Sequence, residues 1–446
     1  MSVRALAASA ARSTRAARWF PGGLLALDYF GDADLLALPS RRPLRALSLS
    51  RDLARPRTVA ALARAALELD WQALVYSGGL ENRPGLLGRL ERRGAVLGNG
   101  RREIDGVRDP SVLFDFMSRE GLPHPRTWCR APTPAVAGRT PCLWKGARSG
   151  GGTKVRPAVS GETRPRGHYL QERLAGPPGS AAFVADGTRA VLLGVTEQLS
   201  GFRELGGSGY RYGGNITGPP RLLLADGALE ILRRAASSLT RRFGLRGLNG
   251  LDFILSAGVP HLIEVNPRYT ASMELLEEMC GFNVVDLHLE AACDGRLPAL
   301  QLEPGRGDDR RSVAGARFLA KGILYAEHRV QSVDPDLLAG RGCRDLPVAG
   351  EIIEAGHPIC TLIAPGSSGP ECRRILAERA REVRRLLADA ATGHASRRPA
   401  GAGPVGPAAQ RKVKSSRVMS DPPTRWIRTT TLRIRGDGPV STSPRK

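Results

Sequence analysis

Lysine is nearly missing from this 446-residue chain: six lysines stand among 66 basic residues, so arginine carries almost all of the positive charge. That skew is what a GC-rich coding sequence produces, and the net charge of +23 therefore names no partner by itself. Paired metal ligands are missing too. The seven cysteines (129, 142, 280, 293, 343, 360 and 372) form no Cys-x-x-Cys and the histidines no His-x-x-x-His, which excludes zinc sites built on those spacings. An odd cysteine count without metal spacing points to reduced thiols and a cytoplasmic protein. No apolar run approaches the roughly 20 residues that span a bilayer, so the chain reads as soluble. There is no secretory signal, no internal repeat, and no Ser–His or Cys–His arrangement for nucleophilic catalysis.

With 41% apolar residues the chain can build real cores, and its length suits two or three compact units. Residues 1–103 alternate helix and strand: a helical stretch over 3–18, an apolar run Leu24–Leu27, a helix over 57–69, and a strand Trp71–Tyr76 broken at Ser77-Gly78-Gly79. This predicts a small parallel α/β unit whose first strand is missing. Val3–Phe20, rich in Ala and Arg, fits either a transit peptide or an ordinary helix with Val3, Leu6, Ala7, Ala10 and Ala11 on one face; the periodicity favours the helix. Residues 104–300 form an α+β region with helices over 110–119 and 228–243, the latter stopped by Gly244. Residues 301–392 hold short strands and a last amphipathic helix over about 370–391, with Ile375, Leu376, Val383, Leu386 and Leu387 on one side. Residues 393–446 read as a disordered basic tail, twelve Lys and Arg against Asp421 and Asp437 in the stretch from 395 onward.

Two segments carry chemistry. Cys142-Leu143-Trp144-Lys145 is strand-like and runs into Gly146-Ala147-Arg148-Ser149-Gly150-Gly151-Gly152, after which Val155 resumes an apolar pattern. This is strand–loop–strand, whereas a P-loop requires GxxxxGK[ST] opening a helix. Three glycines let backbone N–H groups approach an anion, and two of the six lysines, Lys145 and Lys154, flank them. The bland alternative is a plain flexible loop. In the second segment, Leu251–Leu255 and His261–Asn266 alternate around a turn at Ser256–Pro260, so an antiparallel pair brings Asp252 close to Glu264 and Asn266. Three oxygen ligands without nitrogen or sulfur suit Mg²⁺ or Mn²⁺. The alternative is a polar sheet face turned to water. Tyr169–Leu174 reads as a further strand before a Gly-Pro-Pro-Gly turn, with Glu172 an ordinary solvated side chain or an acceptor for an adenine amino group.

Lys145 with its glycine hairpin, Gln171-Glu172-Arg173-Leu174, Asp252 and Glu264-Val265-Asn266-Pro267-Arg268 resemble the ATP-grasp superfamily of carboxylate–amine/thiol ligases. The resemblance covers about residues 70–300. It implies an ATP-grasp fold, α/β and α+β, with a preceding Rossmann-like domain over 1–103 and, over 301–392, a small β-rich piece similar to a barrel-sandwich end. It implies that Lys145, aided by Lys154, holds phosphates, that Gly150, Gly151 and Gly152 close over them, and that Gln171, Glu172, Arg173 and Leu174 seat adenine. Asp252, Glu264 and Asn266 would bind the metal, and Arg268 would steady the transferring phosphoryl group. Two departures stand out: Arg108 occupies the place of the family's second lysine, and Gly179 and Ser180 stand where a ribose-binding carboxylate is usual.

The implied activity is an ATP- and Mg²⁺-dependent ligase that turns a small-molecule carboxylate into an acyl phosphate and joins it to an amine. Ser77–Gly79, Tyr210–Asn215 and Thr270–Ser272 are candidates for the substrate pockets. An ATP-binding protein without turnover is the alternative, motivated by Arg108 and the missing carboxylate. Nucleic-acid binding through the tail rests on Trp426 among scattered arginines, which is weak ground. No membrane partner is expected, and a homodimer is among the assemblies the chain could form.

Overall fold

The computed structural model describes residues 3–40, 43–49, 51–129, 140–299 and 317–391, and the predicted basic tail lies outside them. The central feature is an eight-stranded antiparallel sheet. Its order is Val259–Asn266, Arg246–Ser256, Pro178–Asp186, Ala190–Ser200, Tyr212–Thr217, Phe318–Tyr325, Pro358–Gly366 and Cys343–Arg344. Pro178–Asp186 is buried on both faces beyond its first residue, which is why its Ala181-Ala182-Phe183-Val184-Ala185 run is continuously apolar rather than alternating. Helix Asp226–Phe243 covers one face with Leu229, Leu232, Ala236 and Leu239, and ends where Gly244 takes φ 69°. Each such leucine contributes roughly 1.5–3 kcal/mol by leaving water.

The last three strands of the sheet come from the C-terminal region, which the sequence suggested would be a small sandwich-like piece of its own. The structure instead adds these strands to the edge of the same sheet. Tyr212–Thr217 would otherwise leave a row of unpaired backbone groups, and Phe318–Tyr325 satisfies them. Helix Gly369–Ala391 then lays Cys372, Leu376, Ala380, Val383 and Leu387 onto this extension, at the spacing read from the sequence.

A second sheet of four antiparallel strands runs Thr127–Trp128, His168–Glu172, Cys142–Gly146 and Val155–Pro157, around buried Trp144 and Leu170. The N-terminal region is α/β with parallel pairing, as expected. It is split, however, into two short pairs, Leu24–Asp28 with Leu44–Ser48 and Ala73–Leu74 with Ala95–Val96. Leu44–Ser48 was not anticipated; it follows two prolines and two arginines that mask its apolar alternation. The strand expected over Trp71–Tyr76 shrinks to Ala73–Leu74, because its parallel partner Ala95–Val96 is only two residues long.

Val3–Arg12 is a helix, shorter than the stretch predicted over 3–18 because Ser13 caps a separate turn by accepting from Ala16 N at 2.8 Å. Its alanines, Ala5, Ala7, Ala8 and Ala11, allow close packing. Arg12, Arg15 and Arg18 pair with Glu277, Glu290 and Asp294 at 2.6, 2.9 and 3.2 Å. The arginine richness that resembled a transit peptide is thus matched by acids on helices Met273–Cys280 and Val284–Asp294.

Two buried side chains fasten the N-terminal region to the sheet. Asn99 accepts from Arg246 N at 2.8 Å and donates to Asn249 Oδ1 at 2.8 Å. His288 accepts from Leu248 N on Nδ1 at 3.0 Å, so its Nε2 carries the proton and meets Leu97 O at 2.9 Å. Gly98 and Gly247 crowd the ring so closely that a Cβ would come within 2.9 and 2.4 Å of it. Burial depresses the imidazole to about 4, the bond to Leu97 O opposing. The unfolded chain takes up this proton near pH 6.5 and the folded one only near 4, so the stabilisation present above 6.5 is lost as pH falls toward 4. Denaturant titrations should lose on the order of 3 kcal/mol over that window. His288→Asn should start lower but show a flatter acid limb; an unchanged slope would contradict the assignment.

Candidate active site

Strands Arg246–Ser256 and Val259–Asn266 are joined by a two-residue turn in which Ala257 and Gly258 both take positive φ, 49° and 78°, the twist that matches a tight hairpin. The turn sets the register of the pairs beside it, Ser256 with Val259 to Phe253 with Leu262, and a β-bulge between Asp252 and Phe253 then shifts the ladder by one residue, so that Asp252 falls opposite Glu264. Asp252 receives hydrogen bonds from Asn266 Nδ2 at 2.9 Å and Gln198 Nε2 at 2.8 Å. Burial, with Glu264 adding to it, pushes the Asp252 carboxyl up to about 6; Ser180, Asn266 and Arg268 pull the other way. Glu264 is raised by burial, but Arg108, Lys145 and Arg268 outweigh this and hold it below the usual carboxylate range. Asp252 is therefore a half-buried carboxylate with no cation in direct contact, between an acid and an amide. Among the described residues no three Asp, Glu, His or Cys side chains form a metal cluster. The set here is two carboxylates completed by the Asn266 amide, and its all-oxygen chemistry fits Mg²⁺ or Mn²⁺.

Three cations surround this pair. Lys145, 8% exposed, donates from Nζ to Gln171 Oε1 at 3.0 Å and Ile263 O at 3.2 Å. Burial lowers its pKa, with Glu264 and Asp252 opposing. An ammonium has three donors and two are spent on neutral oxygens, which leaves one for a ligand. Arg268 is clamped by Glu81 at 2.7 Å and reaches Asn266 Oδ1 at 3.1 Å; both members of the Arg268–Glu81 pair are buried. Arg108 pairs with Glu264 and also donates to Asn82 Oδ1 at 2.9 Å and Ser149 O at 2.8 Å.

That last bond ties the glycine hairpin to the carboxylates. Lys145 lies opposite Val155, which makes the segment the strand–loop–strand expected. At its tip Gly151 and Gly152 adopt φ 62° and 72°, and Tyr212 N donates to Gly151 O at 3.0 Å. A side chain on Gly152 would place its Cβ 1.8 Å from Tyr210 O, so only glycine lets the loop lie against that strand. Gly150, Gly151 and Gly152 line a cleft of about 760 Å³ together with Arg108, Lys145, Asp252, Glu264, Asn266 and Arg268.

Gln171, Glu172, Arg173 and Leu174 line the same cleft. The Glu172 carboxylate is held by Arg126 at 3.2 Å instead of pointing free, so it braces the strand. The amides of Glu172 and Arg173 are taken by Arg126 O and Pro141 O, both at 2.8 Å, and Leu174 is the first residue of the run whose N–H meets no described acceptor. Lys154 does not join the site: it is exposed, lies beside Gly146 and is outside the cleft lining. Of the substrate-pocket candidates, Tyr210, Tyr212, Asn215 and Thr270–Ser272 border the cleft, whereas Ser77 and Gly78 line a separate cavity in the N-terminal region. Glu81, Asn82 and Gln198 were not anticipated. A glutamate just after a Gly-Gly break was the one available signal for Glu81, since its partner lies 187 residues away.

Residues 108–272 match the family model of the ATP-grasp domain. Over 153 residues the chain is 26% identical to an uncharacterised protein of Methanocaldococcus jannaschii, covering 34% of this chain and 33% of that one. Over 296 residues it is 20% identical to the carbamoyl phosphate synthase large chain of Mycobacterium sp. (strain JLS), covering 61% of this chain and 26% of that one. The chain thus matches a third or less of the length of these curated relatives. Among solved structures, the biotin carboxylase domain of Hydrogenobacter thermophilus 2-oxoglutarate carboxylase, a dimer with MgADP, ADP and bicarbonate, aligns with TM-score 0.59 and 17% identity over 82% of this chain and 84% of that one. An ADP complex of N5-carboxyaminoimidazole ribonucleotide synthetase aligns with TM-score 0.57 and 14% identity over 85% and 94%. At these identities the likeness is one of fold.

Gly152→Val should detach the hairpin tip from Tyr210–Tyr212, because it adds both the clash and an unfavourable positive φ. Trypsin should then cut after Arg148 or Lys154 at least several-fold faster than in the wild type, with the thermal midpoint little changed. Equal cleavage rates would show that the loop is not held there.

Proposed function

Taking as premise that residues 108–272 are an ATP-grasp domain, we propose that the chain is an ATP- and Mg²⁺-dependent ligase that activates a small-molecule carboxylate as an acyl phosphate and joins it to an amine. The observation that carries this reading is the Asp252–Glu264 register beneath the glycine hairpin, with Lys145, Arg108 and Arg268 converging on the same cleft. Similarity in fold to nucleotide-bound biotin carboxylase and ribonucleotide synthetase structures supports it.

Asp252, Glu264 and Asn266 would hold Mg²⁺, which supplies charge neutralisation at the nucleotide phosphates. The remaining donor of Lys145 turns to a phosphate oxygen, and Gly150–Gly152 offer backbone N–H groups from above. The unclaimed Leu174 amide is placed for the adenine edge. Arg268, held rigid by Glu81, faces the oxygens of the phosphoryl group as a substrate carboxylate attacks it, so its alignment costs little at that moment. The closed hairpin keeps water from the acyl phosphate, and an amine then displaces phosphate to give the amide.

An ADP-release assay over pairs of carboxylates and amines tests the reading. Wild type should release ADP only with Mg²⁺ or Mn²⁺ and a matched pair, and Glu264→Gln should lower the rate by about a hundredfold or more. Tight MgATP binding without release for any pair would favour a nucleotide-binding protein without turnover. Release unaffected by Glu264→Gln would remove the proposed metal site.

A further inference from the structure

A second cavity, of about 330 Å³, opens beside the nucleotide cleft. The two share Ala271, and the Tyr210–Tyr212 stretch separates them: Tyr210 and Tyr212 border the cleft while Arg211 borders the cavity. Most charged groups in its wall are already matched. Arg57 pairs with Glu351, and Lys321 with Glu274 at 2.5 Å. Asp345 receives Arg4 Nε at 3.1 Å and Thr361 Oγ1 at 2.5 Å, and Asp28 accepts the Phe30 and Gly31 amides at 3.0 and 2.9 Å.

Two groups are not matched. Asp32 is 8% exposed and lines the cavity, yet no described residue donates a hydrogen bond to its side chain, not even the helix it precedes. Arg211 forms no ion pair with any described carboxylate; its guanidinium lies 3.7 Å from the Tyr325 ring centroid, engages the Tyr325 hydroxyl and donates to Gly356 O, all of them uncharged partners. Leaving a buried carboxylate without a donor is costly unless a ligand supplies one. Burial, with Asp345, Asp28 and Asp34 adding to it and Arg4 opposing, pushes Asp32 up to about 9. A cationic ligand would reverse that. The Arg211 guanidinium in the same wall favours a ligand that carries a negative group beside its positive one, which an organic cation can do and a bare metal ion cannot.

We propose that this cavity is a binding site for a small zwitterion of amino-acid type, its ammonium received by Asp32 and its anionic group by Arg211. A carboxyl that a bound cation would ionise and a guanidinium without an acidic partner, in one small cavity, select a ligand carrying both charges over a plain amine or a plain acid. Bound there, the ligand lies on the far side of Tyr210–Tyr212 from the nucleotide.

Thermal shift measurements on the full chain test it, using the twenty amino acids, their decarboxylated amines and their deaminated acids as probes, with MgADP as a separate ligand. At least one amino acid should raise the wild-type midpoint more than its amine or acid counterpart does. Asp32→Asn and Arg211→Gln should each abolish that shift while keeping the MgADP shift. Asp32→Asn should fold at least as stably as wild type, since it removes an uncompensated buried carboxyl at nearly constant side-chain size and breaks no hydrogen bond. If no amino acid shifts the midpoint, or if the shift survives both substitutions, the assignment is wrong. Loss of the MgADP shift in the wild type would instead count against the nucleotide site and leave the amino-acid result to be read independently.

Discussion

Two carboxylates facing each other on neighbouring strands, Asp252 and Glu264, are the constraint around which this molecule is arranged. Buried like charges repel strongly where the dielectric is low, and each needs compensation. The protein supplies it unequally. Glu264 receives Arg108, Lys145 and Arg268, and its acidity is restored; Asp252 receives neutral donors from Gln198 and Asn266, and stays raised. The unequal treatment leaves Asp252 without a cation in direct contact at the position where oxygen ligands converge.

Meeting that demand ties distant parts of the chain together. Arg108 binds Glu264 with one edge and the hairpin carbonyl of Ser149 with the other, so the flap and the carboxylates share a guanidinium. Arg268 is braced by Glu81, and Arg108 by Asn82, so the N-terminal region contributes to the site without lining it broadly. The residue that takes the place of the expected second lysine is therefore suited to its position: a planar fork reaches three acceptors that an ammonium could not serve with the same geometry. The second cavity lies where the N-terminal segment meets the extended sheet, and that junction exists only because the C-terminal strands join the central sheet.

The local features were legible in the sequence because they depend on short-range spacing. Alternation on either side of the Ser256–Pro260 turn brings Asp252 near Glu264 and Asn266; the helix over Asp226–Phe243 announces its own stop at Gly244; the three glycines after Lys145 mark a hairpin. Other assignments failed where a side chain's environment is set by residues far away. Glu172 is taken up by Arg126, and Lys154 is exposed and outside the cleft lining, although both sit in segments that resemble nucleotide-binding ones.

By itself, then, the sequence determined most of the elements, the nearness of Asp252 to Glu264 and Asn266 on paired strands and the all-oxygen character of the site, since periodicity and turn chemistry act over a few residues; the bulge that sets Asp252 opposite Glu264 was left to the structure. Only the tertiary structure decided which cations compensate which acids, how the C-terminal strands extend the sheet, and that Asp32 and Arg211 face one cavity. Those outcomes depend on groups more than a hundred positions apart meeting in a medium too apolar to leave charge unpaired.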